Sequence, residues 1–226
     1  VAGIRKIIAT KGSYVVKRFF QELGSGLKFA FSSAPIADAL ILLTGTQIVL
    51  AILGTLGPGF ADRILHIAVT DVSVVILGPA VLGIILGALW VGNYGSRFTT
   101  KQLTTFGLLG AGVLLVLISL LVWIEPMIGL PQMAVIVTTL FLFFLLGLAN
   151  SFLDVPSNTT LQDFAGGEMR GRVYGILTSA AGGVGILPVV GGGIIADTFG
   201  IGKVLLILGI IIVGYGVIRL KAGIAK

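Results

Sequence analysis

The chain has 226 residues, of which 56% are hydrophobic and only 11% charged, with 34 glycines and a formal net charge of +6. A water-soluble domain of that apolarity would have no surface, whereas bundles of membrane helices tolerate both the hydrocarbon and the glycine. The absence of cysteine excludes a disulfide framework and a thiolate metal site, and the positive charge, which in a soluble protein would point to nucleic acid, is explained here by membrane topology.

Residues 1–35 carry Arg5, Lys6, Lys11, Lys17, Arg18 and Lys28 with no apolar core leading to a cleavage site, so they read as a cytoplasmic linker rather than a signal peptide. Within the linker Val16, Phe19, Phe20, Leu23 and Leu27 recur at helical spacing beside Lys17, Arg18 and Lys28, the pattern of a helix lying in the membrane interface. Gly24, Ser25 and Gly26 break or bend it. The opening at Val1, with a basic linker ahead of the first span, is the beginning expected of a piece of a longer chain.

Six apolar stretches follow, at 36–56, 72–91, 103–123, 133–153, 173–196 and 204–218, with a short tail at 221–226. Five of them are close to the ~20 residues that a ~30 Å hydrocarbon core asks of a helix. The last is short, and reaches Leu220 if the Arg219 side chain snorkels to the headgroups. The fold class expected is therefore all-α, with residues 36–220 as a six-helix transmembrane domain. Thirteen of the 15 Lys and Arg residues fall on one set of alternate loops and termini, leaving Arg63 and Lys203 on the other. Cytoplasmic loops hold the positive excess, so both termini are expected inside the cell membrane.

The spans differ in what they carry. A polar side chain facing lipid costs free energy and normally faces a cavity or a neighbouring helix, which singles out the first span, with Asp38, Thr44, Thr46 and Gln47, and the fourth, with Thr138, Thr139, Asn150, Ser151 and Asp154. The second and fifth are glycine-rich: Gly83 and Gly87 are four apart, and Gly171, Gly175, Ser179 and Gly183 recur every four residues, faces that let helix backbones approach closely. Pro79 and Pro188 are placed near the middle of these two spans, where each permits a kink. The third and sixth spans are almost pure hydrocarbon and suit lipid. The order polar, glycine-rich, hydrocarbon thus occurs twice, and Gly87, Leu89, Tyr94 and Gly95 match Gly192, Ile194, Phe199 and Gly200 on the opposite membrane face. That is a 3+3 inverted repeat.

With these features, the stretch Gly92-Asn93-Tyr94-Gly95-Ser96-Arg97-Phe98-Thr99-Thr100-Lys101 resembles the signature loop of the major facilitator superfamily, which lies between the second and third helices of each half. Gly92, Gly95, Arg97 and Lys101 fit the family pattern. Ser96 stands where an acid is usual, and Thr99 and Thr100 replace a Gly and an Arg. The loop from Pro156 through Arg170-Gly171-Arg172 is similar to the cytoplasmic turn of drug and siderophore exporters. The resemblance implies the C-terminal half of a twelve-helix carrier whose N-terminal six-helix half completes a central cavity, the two halves rocking to open it to each side. It also implies that the first and fourth helices line the cavity, the second and fifth meet the other half, and the third and sixth lie outside.

On that basis Thr44, Gln47, Thr138, Thr139 and Asn150 are the residues expected to contact a small-molecule substrate in a mostly apolar cavity, with interhelical hydrogen bonding as their alternative role. Asp38 and Asp154 lie toward span ends, where a water-facing charge or a gate ion pair is the expectation, with Asp154 placed against Arg170 or Arg172. Trp90 and Trp123 are expected to anchor at the interface. His66, the only histidine, lies in an outer loop; Gly200-Ile201-Gly202-Lys203 lacks the Ser or Thr of a phosphate loop; and no carboxylate pair or His cluster marks a metal or catalytic site. Neither an enzyme nor a bound cofactor is therefore expected. Two readings compete: a self-contained six-helix subunit that pairs with itself or a partner as a channel or permease, though no filter or ring of charge stands out, and a structural or truncated half with no transport of its own.

Overall fold

A segment crossing hydrocarbon must satisfy its own backbone polar groups, which a helix does internally. The computed structural model describes residues 33–68, 73–164, 168–179 and 186–224, and among these no strand occurs. Seven α-helices are described: α1 Ala34–Phe60, α2 Gly78–Tyr94, α3 Thr100–Ile128, α4 Gln132–Phe164, α5 Glu168–Ser179, α6 Ile186–Phe199 and α7 Ile201–Ile224. Five segments are long and apolar enough to cross a membrane, namely Ala34–Leu65, Val74–Arg97, Thr100–Ile128, Gln132–Phe164 and Ile201–Lys221, with Pro188–Phe199 as a shorter apolar helix.

Several expected boundaries move. The fifth span, read as one helix over 173–196, is described as α5 and α6, with residues 180–185, and so Gly183, outside the described residues. Helix α4 continues through residues 156–164, which the apolar run alone left in a loop; Pro156 is accommodated inside it. Pro79 opens the regular part of α2 instead of interrupting its middle, and the wider π-helical turn Ser73–Leu77 precedes it. A proline ring is compatible with a first helical turn, where its missing N–H has no partner to lose. The linker and its interfacial helix lie outside the described residues, as does the end of the tail.

The turns are short and chemically specified. Thr99 caps α3: its hydroxyl accepts from the Gln102 backbone N–H at 3.2 Å, while the Thr99 N–H donates to Gln102 Oε1 at 3.0 Å, a reciprocal capping box. Gly129, at φ 65°, closes the C-terminus of α3, and a single residue, Gly200 at φ 92°, joins α6 to α7. Both angles are left-handed and favour glycine.

Packing runs through two close helix pairs. On α2 and α4, a Cβ added to Gly83 would lie 2.0 Å from the Phe144 carbonyl oxygen, and one on Gly147 would lie 2.0 Å from that of Ala80. The Ser151 hydroxyl donates across the same seam to the Ile84 carbonyl at 2.7 Å. On α3 and α7, Gly112 faces Val213 and Gly209, Gly209 faces Gly112 and Val116, and Ser119 donates to the Gly202 carbonyl at 2.7 Å. Gly107 brings α3 against α4 at Ala149. Expected as a lipid-facing element, α3 is thus a shared packing partner of α4 and α7. Helix α1 packs on α4 and α6.

The backbone contact at Gly147 leaves no room for a side chain. Gly147→Val is predicted to lower stability by about 2 kcal/mol or more, seen as a drop in apparent melting temperature of the detergent-solubilised protein, whereas Gly214→Ala, whose added Cβ meets nothing within 4 Å, leaves it unchanged or slightly higher.

Candidate functional site

Helix α1 carries Asp38, Thr44, Thr46 and Gln47, and its two ends are held differently. At the end shared with the α2–α3 turn, the Arg219 guanidinium of α7 forms a two-pronged ion pair with the Asp38 carboxylate of α1 and also donates to the Thr104 hydroxyl of α3 at 3.1 Å. Thr104 passes its own proton to the Thr100 carbonyl at 2.9 Å, and the guanidinium lies 5.9 Å from the centre of the Tyr215 ring. The Arg219 side chain is only 11% exposed and Asp38 40%. A paired, hydrogen-bonded charge is the form in which a guanidinium tolerates such burial. Ile36, Ala39, Leu40 and Leu43 of the same helix end pack with Leu161 of α4.

At its other end α1 is secured mainly by packing. Phe60 meets Phe143 edge-on, with ring centres 6.0 Å apart. The Gln132 carboxamide donates to the Leu65 carbonyl at 3.1 Å, and Arg63 reaches Asp197 at 3.5 Å with both side chains more than half exposed. An exposed pair of that kind contributes about 0–1 kcal/mol.

Between these ends lies a cavity of about 420 Å³, bounded by α1, α2, α3, α4 and α7. Its wall is hydrocarbon and glycine apart from Thr46, Asn150 and Tyr215. The Thr46 hydroxyl donates to the Leu42 carbonyl at 2.8 Å, whereas the Asn150 carboxamide has no hydrogen-bond partner among the described residues. Of the substrate-contact candidates, Asn150 alone lines this cavity. Thr139 is fully buried, its hydroxyl without a partner among the described residues, Thr44 is half-buried, and Gln47 and Thr138 are exposed. Gln47 belongs to a stripe of α1 formed with Ala51, Thr55 and Pro58, all exposed and without a large hydrophobic side chain. The exposed side chains of α7 are by contrast Ile207, Ile210, Ile211, Val217 and Ile218.

The loop candidates gather where α2 turns into α3. Gly92 and Tyr94 lie in the last turns of α2, Gly95–Arg97 forms a 3-10 turn, and Lys101 lies in the first turn of α3. Arg97 stacks on Tyr94 at 5.4 Å from the ring centre. Trp90, expected to anchor at the interface, packs on Tyr94, Phe98 and, at 5.2 Å between centres, Phe152 of α4, so it fastens the turn to the bundle. Asp154 lies at the same end, on α4; its Oδ1 and the Ser157 hydroxyl are buried without partners among the described residues. The side chains of Arg170 and Arg172 lie outside the described residues, as does that of Ser179. Next to Asp154, Tyr174 of α5 donates to Asn158 at 3.0 Å. Gly171 and Gly175 meet nothing within 4 Å.

Two features were missed from the residues alone. The pairing of Asp38 with Arg219 spans 181 positions, and no local pattern announces it. The α3–α7 seam had a signal: Gly202, Gly209 and Gly216 recur every seven residues, two helical turns, and so share one face.

Among known proteins, the sequence profile described as Major Facilitator Superfamily matches residues 15–222. The chain is 30% identical over 126 residues to the uncharacterized MFS-type transporter YfiS of Bacillus subtilis (strain 168), a match covering 56% of this chain and 29% of that protein. No solved structure matches the chain.

Removing one partner of the Asp38–Arg219 pair leaves a charge facing a largely apolar wall. Arg219→Ala and Asp38→Ala are each predicted to cost about 1.5–3 kcal/mol, and the double variant less than their sum, measured as a double-mutant cycle on apparent unfolding. Arg219→Lys rescues only partly, because an ammonium cannot reproduce the two-pronged geometry.

Proposed function

Because the chain belongs to the major facilitator superfamily, we propose that it forms the C-terminal six-helix half of a twelve-helix secondary transporter, which exports lipophilic or amphipathic small molecules across the cell membrane by alternating access. The observation that carries this reading is the stripe Gln47, Ala51, Thr55 and Pro58 on α1, exposed and free of bulky hydrocarbon in a chain whose outer surface is otherwise rich in isoleucine, leucine and valine. A helix face of that kind is unsuited to lipid and suited to a crevice wetted from one side of the membrane. Gln47, Thr44 and Thr138 supply the hydrogen-bonding groups that orient an otherwise apolar cargo there.

The missing partner is an N-terminal six-helix half. The open glycines Gly171 and Gly175 of α5 are where it docks, and the two halves rock about that contact. Support for the 3+3 repeat comes from the matching seams: α2 packs on α4 and α6 on α1, while α3 and α7 pack together. Both termini lie in the cytosol. Arg97, Lys101, Arg219 and Lys221 share one end of the helices, and Arg63 and Lys203 lie at the other, a division that fits the positive-inside pattern. Asp154 closes the cytoplasmic side against Arg170 or Arg172, and a proton gradient drives export.

The test is flux of lipophilic dyes in vesicles containing the full-length protein, with and without a proton gradient. Export above empty vesicles, stimulated by the gradient and slowed at least ten-fold by Gln47→Leu without loss of melting temperature, is the predicted result; equal flux in the variant contradicts the placement of Gln47 in the crevice. Arg97→Ala and Arg172→Ala are predicted to slow turnover more than they destabilise the fold, read from the same flux assay beside an unfolding curve.

A further inference from the structure

The cavity between α1 and the rest of the bundle is walled by helices of this chain, and Gln47 and the rest of its exposed stripe do not line it. Its wall follows α1 from Ile41 to Gly57, about 24 Å at the rise of an α-helix. About 420 Å³ spread along such a length makes a slot and not a chamber. It runs through much of the ~30 Å hydrocarbon thickness, and α1 runs alongside it between an ion-paired end and a packed end. Its rims are exposed apolar side chains, Ile41 and Leu50 on α1, Leu77 beside α2 and Ile211 on α7, so the slot opens between the sides of the helices.

Polar groups in the wall select further. No charged residue lines the slot, and the Arg219 guanidinium, 5.9 Å from the ring centre of the lining Tyr215, is already paired with Asp38. A charged head group would therefore be desolvated without a counterion. The Asn150 carboxamide, with two N–H donors and a carbonyl acceptor, has no hydrogen-bond partner among the described residues, and the Thr46 hydroxyl already donates to the Leu42 carbonyl.

We propose that this slot is a binding site for a single long alkyl chain ending in an uncharged hydrogen-bonding group, a hydroxyl or carbonyl, with the polar end at Asn150 and the chain extending along α1 toward Gly57. The proposal concerns binding and stands whether or not the ligand is transported.

Gly45 and Gly54 line the slot, and an added Cβ on either meets nothing within 4 Å, so Gly45→Leu/Gly54→Leu obstructs it at two levels without collision with the protein. The experiment photolabels the full-length protein in lipid nanodiscs with hexadecanol carrying a terminal diazirine, then maps the modified peptides. Labelling is expected on slot residues such as Leu53 and Ala111, competed by unlabelled hexadecanol but not by hexadecyltrimethylammonium, and reduced at least ten-fold in the double variant at unchanged melting temperature. Asn150→Leu is expected to abolish the preference for hexadecanol over hexadecane as competitor. Labelling that is undiminished in the double variant, or spread evenly over lipid-facing residues such as Ile210 and Ile218, overturns the proposal.

Two sources present this chemistry, the ester-linked chain of a membrane lipid and a lipophilic cargo. A lipid retained in the native mass spectrum of the wild-type protein and absent from that of the double variant assigns the slot to lipid. Hexadecanol flux that falls in the double variant, with no lipid retained, assigns it to cargo.

Discussion

Inside a bilayer two apolar helices gain nothing from leaving their surroundings for each other, because lipid tails are as apolar as leucine. Association must then come from close packing and from hydrogen bonds that lipid cannot supply. Here both are concentrated on two seams, where Gly83 and Gly147 bring α2 and α4 into backbone contact and Gly112 and Gly209 do the same for α3 and α7. Ser151 and Ser119 each add one hydrogen bond across those seams. With Gly107 joining α3 to α4, four helices form one continuous frame.

Helix α1 has no such seam. An added Cβ on Gly45 or Gly54 would meet open space, and the helix is held near its ends instead, by Asp38 with Arg219 at one and by Phe60 against Phe143 at the other. Two consequences follow from the same looseness. One side of α1 stands off from the frame and leaves a slot; another side, bearing Gln47, is uncovered. A transporter needs an element that shifts while its neighbours keep their packing, and α1, pinned near its ends, has that character on the proposed reading. The ion pair at Arg219 keeps that end of α1 registered to α7 and α3.

Much of this was legible in the residues, and the parts that were not have a physical reason. Apolar runs of membrane-crossing length located five of the helices because the hydrocarbon thickness is a hard constraint on every one. The ends were less legible. The apolar signal stops at the headgroups, so the continuation of α4 past Pro156 into Asn158 and Asp163, in a helix that no longer needs to be greasy, left no trace in hydropathy. Pro79 was placed mid-span because the start of α2 is set by a π-helical turn that composition does not encode. The glycine face of the second span was visible as a four-residue spacing, whereas the seven-residue spacing of Gly202, Gly209 and Gly216 was hidden among hydrocarbon that suggested a lipid-facing helix. The partner of Asp38 lies nearly the whole length of the chain away, and only the folded bundle brings it near. Of the polar residues picked for a cavity, Asn150 faces the slot and Gln47 faces outward: residue type reveals that a position is unsuited to lipid, and the direction of the side chain depends on how its helix is rolled.

The account depends on the exposed stripe of α1 facing water and not acyl chains. The chain contains no cysteine, so Gln47→Cys gives the full-length protein a single reporter within these residues, once any cysteine elsewhere has been removed. In membranes it is predicted to react with a water-soluble, membrane-impermeant maleimide many times faster than Ile210→Cys on α7, and a fluorophore attached there is predicted to resist quenching by nitroxides placed in the lipid tails. A Gln47→Cys reporter that is inert to the maleimide and strongly quenched from the lipid would contradict it.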